Sequence, residues 1–186
     1  MYHPHFYILT GGPGAGKTSV LNILSQQGHR VVPEAARAII RAQVQNGGTA
    51  LPWKDQQRYT ALMLRHSEQD YRQAACTGTK TPVFFDRGIP DTLCHALLAG
   101  QGIPEDMDRL ARTYRYNTQV FLFPAWQEIY ITDTERKQSW EEAVHTSEKM
   151  KAVYEAYGYR VTEVPRLSPE ARAGFILAQV AGAPGK

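Results

Sequence analysis

The chain has 186 residues, enough to close one sizeable core and too few for two ordinary enzyme domains. Hydrophobic residues make up 42% and charged residues 21%, which excludes the disordered and membrane classes, and no apolar run approaches the roughly 20 residues of a membrane span. The net charge of +3 is scattered over Lys and Arg side chains, so it favours small anionic partners weakly and does not point to nucleic acid.

Residues 1–5 carry no charged leader and no small-residue cleavage site, and a cytoplasmic location is expected. The first predicted strand, residues 6–10, is apolar and aromatic and runs directly into Gly11, Gly12, Pro13, Gly14, Ala15, Gly16, Lys17 and Thr18, with Ser19 next. This is the G-x-x-x-x-G-K-[ST] loop between a strand and a helix. Several backbone N–H groups must reach phosphate oxygens at once, so the loop needs residues without obstructing side chains and with unusual dihedrals, a need met by Gly11, Gly14 and Gly16. A helix starting near Lys17 aims its unpaired amides at the anion, Lys17 adds a full charge, and the Thr18 hydroxyl offers a ligand to magnesium. A nucleoside triphosphate, ATP with Mg2+, is therefore the expected ligand.

A second strand, residues 29–32, leads into Pro33, Glu34, Ala35, Ala36 and Arg37, where a helix is expected to begin near Pro33. Glu34 stands at the strand-to-helix junction. Glu34, Arg37 and Arg41 share a helical face, so they read either as an acceptor-binding group with Glu34 as general base or as a surface ion-pair series. Residues 46–51 contain adjacent glycines and read as a turn before a helix starting near Pro52. The third strand, residues 81–85, ends in Asp86, Arg87 and Gly88. Ligands of α/β sheets sit beyond the carboxyl ends of the strands, so Asp86 would face the phosphates, holding a magnesium-bound water or accepting a proton. Arg87 would clamp a phosphate or a substrate oxygen with its planar fork. Asp91, one turn further on, reads either as a member of that site or as a first-turn acid placed by dipole preference.

Helices are expected near Ile89, Pro104, Gln138 and Pro169, the last capped by Ser168, with strands at residues 119–123 and 160–164 between them. Cys76, Cys94, Trp53, Trp126, Trp140, Tyr59, Tyr114 and Tyr116 read as packing residues, and Arg109, Arg112 and Arg115 as a solvated helix face. The His residues show no metal-ligand spacing. Residues 181–186 should fray.

The stretches GGPGAGKTS, VVPEAAR, FFDRGIPDTL and ITDTERKQSWEEA together resemble the NadR/Ttd-type AAA domain family across nearly the whole chain. That family holds P-loop ATPases and kinase-like proteins related to nucleoside and nucleotide kinases. The resemblance implies that Glu34 occupies the place of the acid beside the acceptor hydroxyl. It also implies a mobile lid near residues 132–140, with Arg136 preferred over Lys137 as the cation delivered to the γ-phosphoryl oxygens. Arg166 falls where adenine lies in related folds.

The expected fold is α/β, a P-loop NTPase three-layer αβα sandwich with a five-stranded, mostly parallel sheet forming a single domain over residues 1–186. The expected function is transfer of the ATP γ-phosphate to a small hydroxyl or phosphate acceptor, such as a nucleoside or nucleotide. Its alternative is a nucleotide-dependent switch that hydrolyses slowly. No N-K-x-D motif follows the fourth strand, which favours ATP over GTP. Acceptor identity and oligomeric state stay open at the level of sequence.

Overall fold

The predicted strands are apolar on both faces, as strands covered by helices on either side must be. In the computed structural model, which describes residues 1–130 and 139–182, β1 (Phe6–Gly11), β2 (Arg30–Val32), β3 (Val83–Asp86), β4 (Gln119–Phe123) and β5 (Arg160–Glu163) form one sheet in the order β2-β3-β1-β4-β5. Every pairing is parallel, and Ile8 at the centre lies opposite Phe85 on one side and Val120 on the other. Parallel neighbours require crossovers, which are supplied here by helices. These are α1 (Lys17–Gln26), α2 (Ala36–Gln45), α3 (Gln56–Ala75), α4 (Ile89–Leu98), α5 (Glu105–Thr113), α6 (Trp140–Ala156) and α7 (Pro169–Ala181).

Side chains alternate across each strand, and the two faces bury separate cores. Phe6, Ile8, Phe85, Val120 and Leu122 pack with Leu64 and Tyr71 of α3, Leu93 of α4, Met107 of α5 and Tyr154 of α6. Tyr7, Leu9, Phe84, Phe121 and Phe123 pack on the opposite face with Val20 and Leu24 of α1 and Ile176 of α7. The result is the expected α/β sandwich. Among the described residues no helix is long and apolar enough to cross a membrane.

Several boundaries differ from expectation. The helices expected near Pro33 and Pro52 start later, α2 at Ala36 and α3 at Gln56. Ahead of α2, the loop residue Glu34 is held by an ion pair with Arg87 at 2.7 Å. In front of α3, the Asp55 carboxylate accepts from the Arg58 amide at 3.0 Å and caps the helix there. Pro104 precedes α5 as its N-cap, and α6 begins at Trp140, where Ser139 and Glu142 cap each other reciprocally. Three helices start as read, α1 at Lys17, α4 at Ile89, and α7 at Pro169 with the Ser168 hydroxyl accepting from the Ala171 amide at 3.3 Å. The third strand starts at Val83, since Thr79 and Thr81 bond to each other and Pro82 has no donor for the ladder.

Burial sorts the packing residues. Cys94, Tyr59, Tyr114 and Tyr116 are buried, whereas Cys76 is exposed just past α3 and Trp53 is exposed in the turn region before it. Arg115 lies beyond the end of α5, its guanidinium 4.1 Å from the Tyr159 ring centroid and donating to the Tyr157 carbonyl at 2.8 Å. It is therefore a packing cation and not part of a solvated face.

Candidate active site

The winding direction reverses beside β1, and the crevice opens at the carboxyl ends of β1, β3 and β4. The loop of residues 11–16 leaves β1 at that point. Gly11 has φ 139°, and a Cβ there would stand 2.4 Å from the Phe123 carbonyl oxygen, so the close approach of β1 to β4 permits only glycine. Gly16, at φ 80°, turns the chain into α1 and caps it with no side-chain bond. The first-turn amides of α1 therefore face the crevice without an internal partner.

Lys17 reaches back over this loop, its Nζ donating to the carbonyls of Gly11 at 2.9 Å and Gly12 at 3.3 Å. It is buried, and burial, followed by the nearby Arg87 charge, lowers its pKa to about 8, against the opposing pull of Asp86, Glu34 and Asp91. Thr18 and Ser19 are exposed on the first turn of α1, Gly12 and Ala15 are buried, and Pro13 and Gly14 are half-buried.

Three acids meet one arginine at the ends of β2 and β3. Arg87 adopts φ 72°, a left-handed conformation that is strained for a non-glycine residue. Its Nε donates to Glu34 Oε1 at 2.7 Å and its Nη1 to Asp91 Oδ1 at 3.3 Å, contacts that hold the strained backbone in place. Burial disfavours the Arg87 cation, but Glu34 and Asp91 outweigh it and raise its pKa. Burial alone would raise Glu34; Arg87 and Lys17 overcome it and hold the carboxyl below its usual range. Asp86 differs: burial outweighs the attraction of Lys17, its pKa rises, and its buried Oδ1 has no hydrogen-bond partner among the described residues.

Asp91 resolves into a buried hub. Its carboxylate accepts from the Gly88 amide at 2.8 Å, from Arg87, and from the hydroxyls of Thr10 and Tyr154. The sequence offers no spacing that links Thr10, Asp91 and Tyr154, which lie on β1, α4 and α6. Beside Arg87 and Asp86 lies a narrow cleft with a cavity volume of about 20 Å³, room for about one water molecule, with Glu34, Met63, Asp70 and Tyr116 in its wall. Met63, Ser67 and Asp70 belong to one face of α3, which the sequence marked only as a helix.

The expected lid cations, Arg136 and Lys137, lie outside the described residues. Arg37 is exposed on the first turn of α2 and adds to the positive field at Glu34. Arg166 is exposed and donates to the Ala125 carbonyl at 3.0 Å. Arg172, on α7, has no signal in the sequence that ties it to the loop, yet it is 2% exposed and donates to the Ala15 carbonyl at 2.8 Å.

For magnesium, the partnerless Asp86 oxygen and the exposed Thr18 hydroxyl are hard oxygen donors of the right chemistry. The described residues contain no group of three or more His, Cys, Asp or Glu that could hold a metal ion.

A family model described as AAA domain matches residues 6–172. No curated protein matches the chain. Among solved structures, the chain is similar to the NadR protein in complex with NR, at 16% identity and TM-score 0.69, over 97% of this chain and 51% of that one. It thus spans about half of that protein. It is also similar to thymidylate kinase from Ehrlichia chaffeensis, at 16% identity and TM-score 0.61, covering 96% of this chain and 98% of that one. Shikimate kinase from Acinetobacter baumannii in complex with shikimate aligns at 16% identity and TM-score 0.57, over 98% of this chain and 96% of that one. At such identities the likeness shows the fold, which is that of P-loop kinases.

Proposed function

The chain belongs to the AAA domain family, and from that premise and the geometry of the crevice we propose that it is a small-molecule kinase using ATP and magnesium. The observation that carries this reading is the Glu34 and Arg87 pair at 2.7 Å, an acid held beside the phosphate loop where an acceptor hydroxyl would have to lie. A switch that only hydrolyses nucleotide has no need of such a pair.

In this reading the amides of residues 12–18 and the Lys17 ammonium hold the β- and γ-phosphates. Thr18 and Asp86 would hold magnesium, whose chemistry when bound is to neutralise charge on the phosphate oxygens. The acceptor hydroxyl lies in the cleft and donates its hydrogen bond to Glu34, which is ionised at neutral pH because Arg87 and Lys17 hold its carboxyl low. An oxygen–phosphorus bond forms as the bond from the γ-phosphorus to the bridging oxygen breaks, ADP leaves, and the hydroxyl proton passes to Glu34 or to solvent. Transfer through a loose transition state asks more for alignment than for a strong base, so a low carboxyl serves. Arg136 is the proposed cation for the γ-phosphoryl oxygens.

The cleft wall favours a hydroxyl acceptor over a phosphate one. Asp70, Asp86 and Glu34 line it, while the Arg87 guanidinium is already engaged by two carboxylates. A nucleoside or similar polyol offers donors to those acids, and a phosphate would be repelled.

The test is a transfer screen with labelled ATP and Mg2+ against pooled nucleosides, nucleoside monophosphates and small polyols. A labelled product should form with a hydroxyl acceptor and vanish in Lys17→Ala and Asp86→Asn. Glu34→Gln should lower kcat by about 100-fold or more while ATP affinity changes little. ATP binding with slow hydrolysis and no acceptor product would replace the kinase reading with the switch.

A further inference from the structure

We propose that Arg172 is a nucleotide-site cation which no acid among the described residues neutralises, so that bound triphosphate supplies negative charge to it while the guanidinium holds the loop at Ala15 and Gly16. The proposal rests on the reading of residues 11–18 as a triphosphate site.

Burial and position come first. Arg172 is among the largest fully buried side chains, and its Nη1 stands 2.6 Å from where a Gly16 Cβ would be. Only a glycine leaves room for it there. Its Nη2 donates to the Ala15 carbonyl at 2.8 Å, and its planar face lies over Phe123 and Trp126, with centroids at 4.6 and 5.6 Å. The cation is thus wedged from α7 against the turn whose amides begin α1.

What it lacks among the described residues is an acid. Among the described residues Arg172 takes part in no salt bridge, and its Nε is buried with no hydrogen-bond partner. Burial accordingly lowers its pKa, although a guanidinium stays charged at neutral pH. Aromatic faces and one carbonyl offset part of the desolvation of a buried cation and leave the rest uncompensated. Contrast Arg87, whose side chain is 15% exposed and gripped by two carboxylates. A cation needed only for packing would be replaced with advantage by an apolar side chain of similar length. The neighbouring loop is the place where a multiply charged anion would restore the balance.

Two readouts separate this role from a merely structural pin. In Arg172→Met, thermal melting of the ligand-free protein should show stability equal to or above wild type. Calorimetric titration should then show ATP affinity reduced about 10- to 100-fold, ADP reduced less, and adenosine unchanged. Arg172→Lys, which keeps the charge and loses the fork, should recover part of the ATP affinity. Equal losses for ATP and adenosine, or no loss for ATP, would overturn the proposal. Should Arg172→Met fail to fold, Arg172→Lys decides: retention of the wild-type preference for ATP over adenosine supports the charge role, and its loss overturns it. Failure of wild-type protein to bind ATP would instead overturn the reading of the phosphate loop, leaving the two failures distinct.

Discussion

Lys17 is the residue whose chemistry is most sensitive to its setting. Burial and Arg87 bring its pKa down to about 8, so near pH 7 the ligand-free protein holds it protonated, and above pH 8 it loses that proton. A triphosphate binds the protonated form. Each binding event above pH 8 must therefore take up a proton, and ATP affinity should fall by up to about tenfold per pH unit from there toward the ordinary lysine range. Calorimetry at pH 7 and pH 9.5 checks the sign; a flat profile over that interval would contradict the assignment. The lysine was legible in the sequence because its spacing from the glycines is set by local backbone geometry. Arg172 was not, because its partner Ala15 lies far away along the chain and nothing in the spacing of either segment encodes their meeting.

At the scale of elements, α4 shows how one acid is shared by the site and the scaffold. Asp91 sits in its first turn, where a carboxylate favours the helix dipole, and the Gly88 amide donates to it as a cap. Those local roles were readable. The bonds from Thr10 of β1, Tyr154 of α6 and the strained Arg87 make the same carboxylate the joint between helix and sheet. Removing it leaves buried donors and a buried cation without their acceptor, so Asp91→Ala should cost about 3–5 kcal/mol in urea unfolding, well above the ~1 kcal/mol of a lost cap. A loss near the smaller figure would reduce Asp91 to a helix cap. Prolines misled for α2 and α3 because a fixed φ is also compatible with the extended chain that precedes a helix, and the capping Asp55 and the tethered Glu34 decide where each helix begins.

In the whole molecule, the phosphate loop is where β1, β4, α1 and α7 converge, so a ligand there ties the sheet to the two helices that cover one of its faces. A ligand at 100 times its Kd adds about 2.7 kcal/mol to the folded state. For a chain of this size ATP should then raise Tm by roughly 5–11 °C, and Lys17→Ala should abolish the shift. By itself the sequence determined the phosphate loop, the five strands and the α/β class, because these rest on local dihedral demands and on apolar runs that only a doubly covered parallel sheet can bury. Tertiary structure alone decided that Glu34 and Asp91 share Arg87, that α3 walls the cleft with Asp70, and that Arg172 lies against Gly16 with no acid beside it among the described residues. Those juxtapositions depend on strand order and on crossovers between distant segments, which the spacing of residues along a chain does not record.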